Sequence, residues 1–456
     1  MNLVRAIRFL DRWHWLILLL SALFMLFPAP ERTPVLLIVP LVWAIGWIAR
    51  PRAPLPSTPL NAVMLVLMLM LLVSVLVTPD LAFSLGEVAG MVLAFAAFFA
   101  VAREAQRPLG FWLFLALFLA AGVTIAAFAL LNTNWIGKVG FLASITAHLP
   151  PRLVGVIGIQ GGFQPNQMAG SLLWVASVFL CLPVGLATMA HAHDAAAKPV
   201  SRFARPLLIL LLFVSAFAAV AVLGVLVLTQ SRSAYIGFAL ALPVIVFLAL
   251  PRRGRWVMAI SLVVVIVAAS VILWQRRDTI GQQLGLGLDT TTEAGTDASI
   301  GSLDTLKGRL EVWSRALYGI EDFPFTGMGM NSFRRVVHLL YPLFLISPDT
   351  DIAHAHNEFL QAALDLGIPG MIAFGALYLV ALWMLRRIWV ASAGDGLTRA
   401  LALGLGGGLF AHLVYGMTDA VALGAKPGVL FWMLLGLICG LFAQRCATHA
   451  TSIPTT

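Results

Sequence analysis

The chain has 456 residues, of which 61% are hydrophobic and only 11% charged, with a formal net charge of +9. That balance excludes a soluble globule with a polar shell and reads as an integral membrane protein. The positive excess is not a nucleic-acid surface, because it is concentrated in the loops between apolar runs.

A hydrocarbon core about 30 Å thick takes roughly 20 helical residues to cross, with every backbone polar group satisfied inside the segment. Twelve runs fit, near 13–29, 34–49, 59–78, 82–102, 109–131, 167–189, 206–229, 233–250, 256–274, 366–385, 398–418 and 427–444. Arg5, Arg8 and Arg12 precede the first in the manner of a signal peptide. No small-residue cleavage site follows, so this run reads as a retained span. Putting the N-terminus in the cytoplasm assigns seventeen Lys and Arg to the inner side, against five (Arg32, Lys138, Arg152, Arg232 and Lys426) in the short outer loops. This is the positive-inside pattern with both termini cytoplasmic. Cys181, Cys439 and Cys446 are widely spaced and imply neither a disulfide nor a zinc framework.

The predicted class is therefore all-α, with about 12 transmembrane helices and one large outer helical loop between spans nine and ten. Residues 1–274 hold spans one to nine, 275–365 the loop, and 366–456 spans ten to twelve with a cytoplasmic tail. Within the loop, 282–304 is rich in Gly, Thr and Asp without apolar periodicity and reads as mobile. Leu306, Leu310, Trp313, Leu317 and Ile320 then recur at helical spacing, with Lys307, Arg309, Glu311 and Arg315 between them. They predict an amphipathic helix lying on the membrane or on the bundle. A turn at P-F-T-G-M-G leads to a second helical stretch, 331–346, with Arg334 and His338 on one face. Ser347 and Pro348 before Asp349 and Asp351 are written like a helix N-terminus, and capping is the favoured role of these acids over a divalent-ion site.

D-I-A-H-A-H-N-E-F-L-Q, 351–361, closes the loop. Two residues apart in a helix, His354 and His356 would point away from each other, and the downstream apolar pattern reads as helix, so no shared metal is expected. H-A-H also occurs at His191 and His193 in an inner loop, so the pattern by itself carries little. What distinguishes the second copy is its outer face, the helix start, Asn357 beside it and the arginines of the same loop. Arg232, in T-Q-S-R-S-A-Y, stands where span seven meets span eight, a costly place for a cation without a partner. Arg152 and G-F-Q-P-N-Q-M-A-G, 162–170, occupy another outer connection, preceded by a stretch fit for the interface.

Arg232, Arg309 and one histidine together point to a site for an anionic, lipid-linked substrate, because guanidinium binds phosphate oxygens bidentately and stays charged. A polyprenyl diphosphate is already a good leaving group and needs charge neutralisation rather than protonation. The attacking hydroxyl needs a base, and imidazole, titrating near about 6.5, supplies about 10²–10⁴ in rate. Direct displacement inverts the anomeric centre.

The chain resembles the O-antigen ligase and polymerase superfamily over roughly 150–370. The resemblance rests on R-x-x-G with Q-P-N-Q-M-A-G, T-Q-S-R-S-A-Y, G-R-L-E-V-W, P-F-T-G-M-G-M-N-S-F and H-A-H-N-E-F-L-Q-A-A-L-D-L-G-I-P-G, in that order around the large loop. It implies a GT-C-like enzyme of the bacterial inner membrane with its active site in a periplasmic loop. Such an enzyme passes a glycan from undecaprenyl diphosphate to the lipid A-core oligosaccharide without metal, nucleotide or other cofactor. It further implies that Arg232 and Arg309 hold the diphosphate and that His356 is the base. His338 and Arg152 are secondary, with Asn357, Asn166 and Gln230 supporting. The residues themselves leave the choice between His354 and His356 open. Gln164, where the family pattern has Asn, is a departure. Membrane lipids are expected partners and nucleic acid is not; the oligomeric state is not written in the sequence. O-antigen polymerase and protein O-oligosaccharyltransferase share these motifs, and a glycan flippase, with Glu87 as its ionisable group, is the alternative of another class.

Overall fold

The computed structural model describes residues 3–24, 30–50, 55–133, 135, 140–149, 163–195, 204–275 and 306–446. The mobile stretch expected at 282–304 and the candidate residue Arg152 lie outside them, as do residues 134 and 136–139 of the interfacial stretch 134–149. Sixteen α-helices follow one another among the described residues: α1 (Leu3–Arg12), α2 (His14–Phe24), α3 (Ile38–Ala49), α4 (Asn61–Val77), α5 (Leu81–Glu104), α6 (Pro108–Asn132), α7 (Gly140–Thr146), α8 (Pro165–Ala195), α9 (Ala204–Leu228), α10 (Arg232–Ala249), α11 (Arg252–Gln275), α12 (Leu306–Asp322), α13 (Ser332–Leu340), α14 (Glu358–Ala391), α15 (Gly396–Gly416) and α16 (Val429–Cys446). Each of the twelve apolar runs coincides with one helix. Among the described residues, eight helices are long and apolar enough to cross a membrane: α5, α6, α8, α9, α10, α14, α15 and α16; α3, with the turn before it, and α4 are apolar but shorter. The chain is an all-α membrane protein.

Small residues decide which helices meet. Lipid tails are as apolar as the side chains, so association inside the bilayer rests on close packing, which small residues permit. On α15, a Cβ on Gly408 would stand 2.5 Å from the Trp174 carbonyl oxygen, and one on Gly404 2.8 Å from Val178 Cα. The α8 backbone therefore lies directly on α15, and Leu172, Leu173, Trp174, Leu405 and Leu409 are buried around that contact.

The loops segregate by end. At one end, Asp11 receives Arg50 at 2.5 Å and Arg103 at 3.4 Å, and Arg445 meets Asp395 at 2.7 Å. At the other, the segment 306–358 settles onto the connections between spans: Met330 N–H donates to Ser74 Oγ (2.7 Å), Thr78 and Ser332 share a hydroxyl bond (3.0 Å), and Arg335 meets Asp80 at 3.1 Å.

The amphipathic helix is present as α12, with Leu310 and Leu317 exposed and Val312 and Ala316 fully buried, so its inward face is offset from the leucine stripe. The offset carries the Arg309 guanidinium inward, where it finds polar partners. Two other expectations for the large loop need correction. The second helix stops at Leu340 rather than 346. Asp349 and Asp351 cap nothing: Asp351 pairs with Arg334, and the next helix begins only at Glu358. Arg334 and His338 do share a face, since His338 Nε2 lies 2.7 Å from the Thr350 carbonyl, next to Asp351.

A kink divides α14. Gly367 has φ 71° and ψ 173°, values that suit glycine, and Pro369 follows. Ile368 N–H donates to Pro324 O (2.7 Å) and Met328 N–H to Leu364 O (2.6 Å), so the turn after α12 is seated on the kink. Residues 358–366 thus form a short stem between the outer segment and the span.

Candidate active site

The stem of α14 presents the histidines. Asn357 caps it, its Oδ1 accepting from Phe359 N–H (2.9 Å) and Leu360 N–H (3.1 Å). Its Nδ2 donates to Met417 O (2.9 Å), which ties the cap to the connection after α15. His356 has φ 50°, a left-handed backbone rare outside glycine and sustained here by its surroundings. Trp313 Nε1–H donates to the His356 carbonyl (3.3 Å), and Ala355 N–H donates to Gln361 Oε1 (2.8 Å).

Because the helix starts at Glu358, the expectation that His354 and His356 diverge does not hold. The sharp turn at His356 brings the two rings to 4.4 Å between centroids, and both face Asp419. His356 Nδ1 is 3.3 Å and His354 Nε2 4.0 Å from Asp419 Oδ1. One nitrogen from each ring and one oxygen of Asp419 lie within 4.8 Å of one another, a spacing a cation could bridge. The cationic partner that the chain itself brings to this carboxylate is Arg309.

Asp419 was not singled out from the sequence. It is 1% exposed, in the connection between α15 and α16. Arg309 Nη2 approaches its Oδ2 at 3.5 Å, and Arg309 Nη1 donates to Thr418 O (2.6 Å) and Ser233 Oγ (3.3 Å). Ala420 N–H donates to Asp419 Oδ1 (3.0 Å), and Thr418 Oγ1 bonds Ser233 Oγ (2.9 Å). One residue further, Val421 N–H donates to Glu358 Oε1 (3.1 Å), fixing the connection against the α14 stem. A signal was available: an acid at the membrane end of a short connection is costly without a role.

The protonation states follow from this geometry. Burial alone would raise Asp419, but the His356 contact, the two imidazoles and Arg309 hold it below the ordinary carboxylate value. His354 is lowered to about 4, chiefly by burial, then by His356, Arg309 and Arg334, with Asp419 opposing. At neutral pH His354 is uncharged. His356 N–H donates to His354 Nδ1 (3.2 Å), which uses that lone pair and leaves the proton of His354 on Nε2, facing Asp419. His354 is therefore an acceptor toward the backbone of its neighbour, while His356 turns Nδ1 toward the carboxylate at 3.3 Å.

The structure gathers Arg309, His354, His356 and Asn357 around Asp419. Arg232, the first residue of α10, is exposed and adjoins Ser233, which Arg309 contacts. Gln230 is buried in the turn before it with φ 53°. Asn166 lies at the start of α8, where its carbonyl accepts from Tyr415 OH (2.9 Å), one turn before Thr418. His338 stands apart from the Asp419 cluster, on the Arg334–Asp351 face of α13.

No curated protein matches the chain. Residues 217–375, which include Arg232, Arg309 and the histidine pair, match the family model described as Wzy_C, O-antigen ligase. The sequence motifs, the all-α membrane fold and this match agree, and over that region the chain is similar to the O-antigen ligase family.

Proposed function

We propose that the protein transfers a glycan from undecaprenyl diphosphate to the lipid A-core oligosaccharide at the periplasmic face of the inner membrane, with inversion and without a metal. The observation that carries this reading is the convergence of Arg309, His356 and Asp419 at one end of a membrane bundle whose residues 217–375 match the O-antigen ligase family model. The segregation of charge supports the orientation: the end opposite the site holds Arg50, Arg103 and Arg445, as a cytoplasmic surface does.

In this mechanism Asp419, anionic and buried, orients His356 through Nδ1, so that Nε2 is left as the proton acceptor for the core hydroxyl. This is the carboxylate–imidazole logic of hydrolytic triads applied to an alcohol nucleophile. The alcohol oxygen forms its bond to the anomeric carbon as the bond to the diphosphate oxygen breaks, and the proton moves to His356. Arg309 and the exposed Arg232 neutralise the charge gathering on the departing diphosphate, the largest electrostatic demand of the step. Arg309 arrives held by Thr418 and Ser233, so its position is set before the substrate enters.

A carrier would be expected to keep ionisable groups near mid-membrane. Glu87 lies about two helical turns into α5 from Asp80 at the site end, short of the midplane. The test is purified protein in detergent, given a defined undecaprenyl-diphosphate oligosaccharide and either lipid A-core or a second donor. Ligation yields extended core lipid; growth of the second donor's glycan makes the protein a polymerase. Loss of transfer in Glu87→Gln with full transfer in His356→Ala overturns the mechanism.

A further inference from the structure

The outer face of α12 carries an apolar surface that the transfer mechanism does not use. Leu310, Leu317 and Tyr318 line one side of the helix and are all exposed. Phe344, 81% exposed, lies beside them in the turn that follows α13, with Leu345 also exposed. This turn is built rather than loose. The buried carboxylate of Glu311 accepts Phe344 N–H (2.5 Å) and Leu345 N–H (3.1 Å to Oε1, 3.0 Å to Oε2). Arg315 donates through Nε to Pro342 O (2.8 Å), and its guanidinium carbon sits 5.3 Å from the Phe344 ring centre and 5.8 Å from that of Tyr318. A buried acid and a cation thus hold an aromatic side chain out into the surroundings, the reverse of what hydrophobic burial alone selects.

We propose that this surface is an interfacial wedge: Phe344, Leu345 and the Leu310–Tyr318 face of α12 enter the lipid headgroup layer at the site end of the bundle, with Lys307 on lipid phosphates. Two observations select the bilayer as the occupant. First, Arg309, next to Leu310, contacts Ser233 in the first turn of α10, whose Ile236 and Leu240 begin an exposed apolar stripe. The face of α12 therefore starts where the lipid-facing side of α10 starts. Second, the exposed Lys307 stands at the head of the same helix and brings the charge that phosphates attract, in the manner of an interfacial helix with a long cationic side chain reaching the headgroups, while Arg315, 3.7 Å from Glu311, braces the turn from beneath. The wedge would fix the depth of α12, and with it Arg309 on the opposite face, at the plane where lipid-linked phosphates lie.

The experiment is site-directed spin labelling of the full chain in nanodiscs of phosphatidylethanolamine and phosphatidylglycerol. Cys446→Ser removes the partly exposed native thiol, while Cys181 and Cys439 are buried. Phe344→Cys and, as the solvent reference, Asp349→Cys are labelled in turn. The expected result is a reversal of accessibility: oxygen collides more than a water-soluble nickel chelate at 344, and the chelate more than oxygen at 349. Equal nickel accessibility at the two positions overturns the wedge, because the turn then stands in water. A label at 344 sheltered from both reagents also overturns it, because a protein surface, such as a second copy, then covers the patch. Neither readout depends on glycan transfer, so an inactive preparation does not confuse the two questions.

Discussion

Replacing Asp419 by Asn tests the mechanism at its most constrained atom. The change keeps side-chain size and removes the charge. Asp419 offers Oδ2 to Arg309 at 3.5 Å and Oδ1 to Ala420 N–H at 3.0 Å and His356 Nδ1 at 3.3 Å. An amide supplies only one acceptor oxygen. Whichever way it turns, its NH₂ meets either the Ala420 N–H and His356 or the Arg309 guanidinium, and the negative charge that favours the imidazole proton on Nδ1 and stabilises the imidazolium is gone. General-base assistance worth about 10²–10⁴ is lost, or roughly 3–5 kcal/mol of transition-state stabilisation. Stability falls by less than the about 3–5 kcal/mol of a broken buried ion pair, because Arg309 retains Thr418 O and Ser233 Oγ. The assay is the initial rate of core-lipid extension in detergent, with tryptophan fluorescence following the thermal midpoint. The expected outcome is a kcat lower by about 10² or more with donor KM little changed. A kcat equal to that of the parent protein, at an unchanged midpoint, would refute the assignment of Asp419 and His356 as a working pair.

His356→Gln should abolish transfer with a fold intact by circular dichroism, while His354→Gln, which loses a positioning group and not the base, should leave measurable turnover; the two rates from one preparation decide it. Between pH 6.5 and about 4 the native chain binds fewer protons at His354 than the unfolded chain, so stability rises with pH across that window. At about 1.36 kcal/mol per pH unit, about 3 kcal/mol should be present above 6.5 and lost by about pH 4, and thermal midpoints of His354→Gln against the parent should show that slope reduced. Arg232→Ala, at an exposed position, should alter stability by no more than about 0.5 kcal/mol while raising the KM for the diphosphate donor; Arg309→Lys, which keeps charge but not the planar fork, should lower transfer and also the thermal midpoint. Gly408→Val forces a side chain against the Trp174 carbonyl, whose oxygen lies 2.5 Å from where the new Cβ would stand, and should cost about 1–3 kcal/mol, read as a lower midpoint in detergent.

Composition and apolar run length sufficed for the membrane class and for the place of the eight helices long and apolar enough to span, because backbone hydrogen bonding in lipid leaves a long apolar run no alternative to a helix. The candidacy of Arg232 had a similar source, because a cation at a membrane boundary is costly and its presence is informative, whereas the resemblance to O-antigen ligases rested on the order of the motifs around the large loop. Local pattern failed where long-range partners decide. The inward face of α12 is set by Thr418, Asp419 and Ser233, more than sixty residues away from Arg309 in either direction. The convergence of His354 and His356 depends on a left-handed backbone at His356 that its surroundings hold, with Trp313 on its carbonyl and the Asn357 cap tied to Met417. Asp419 became visible only when the connection after α15 folded over the stem of α14: the sequence states that an acid is there, and tertiary packing alone determines which imidazole it meets.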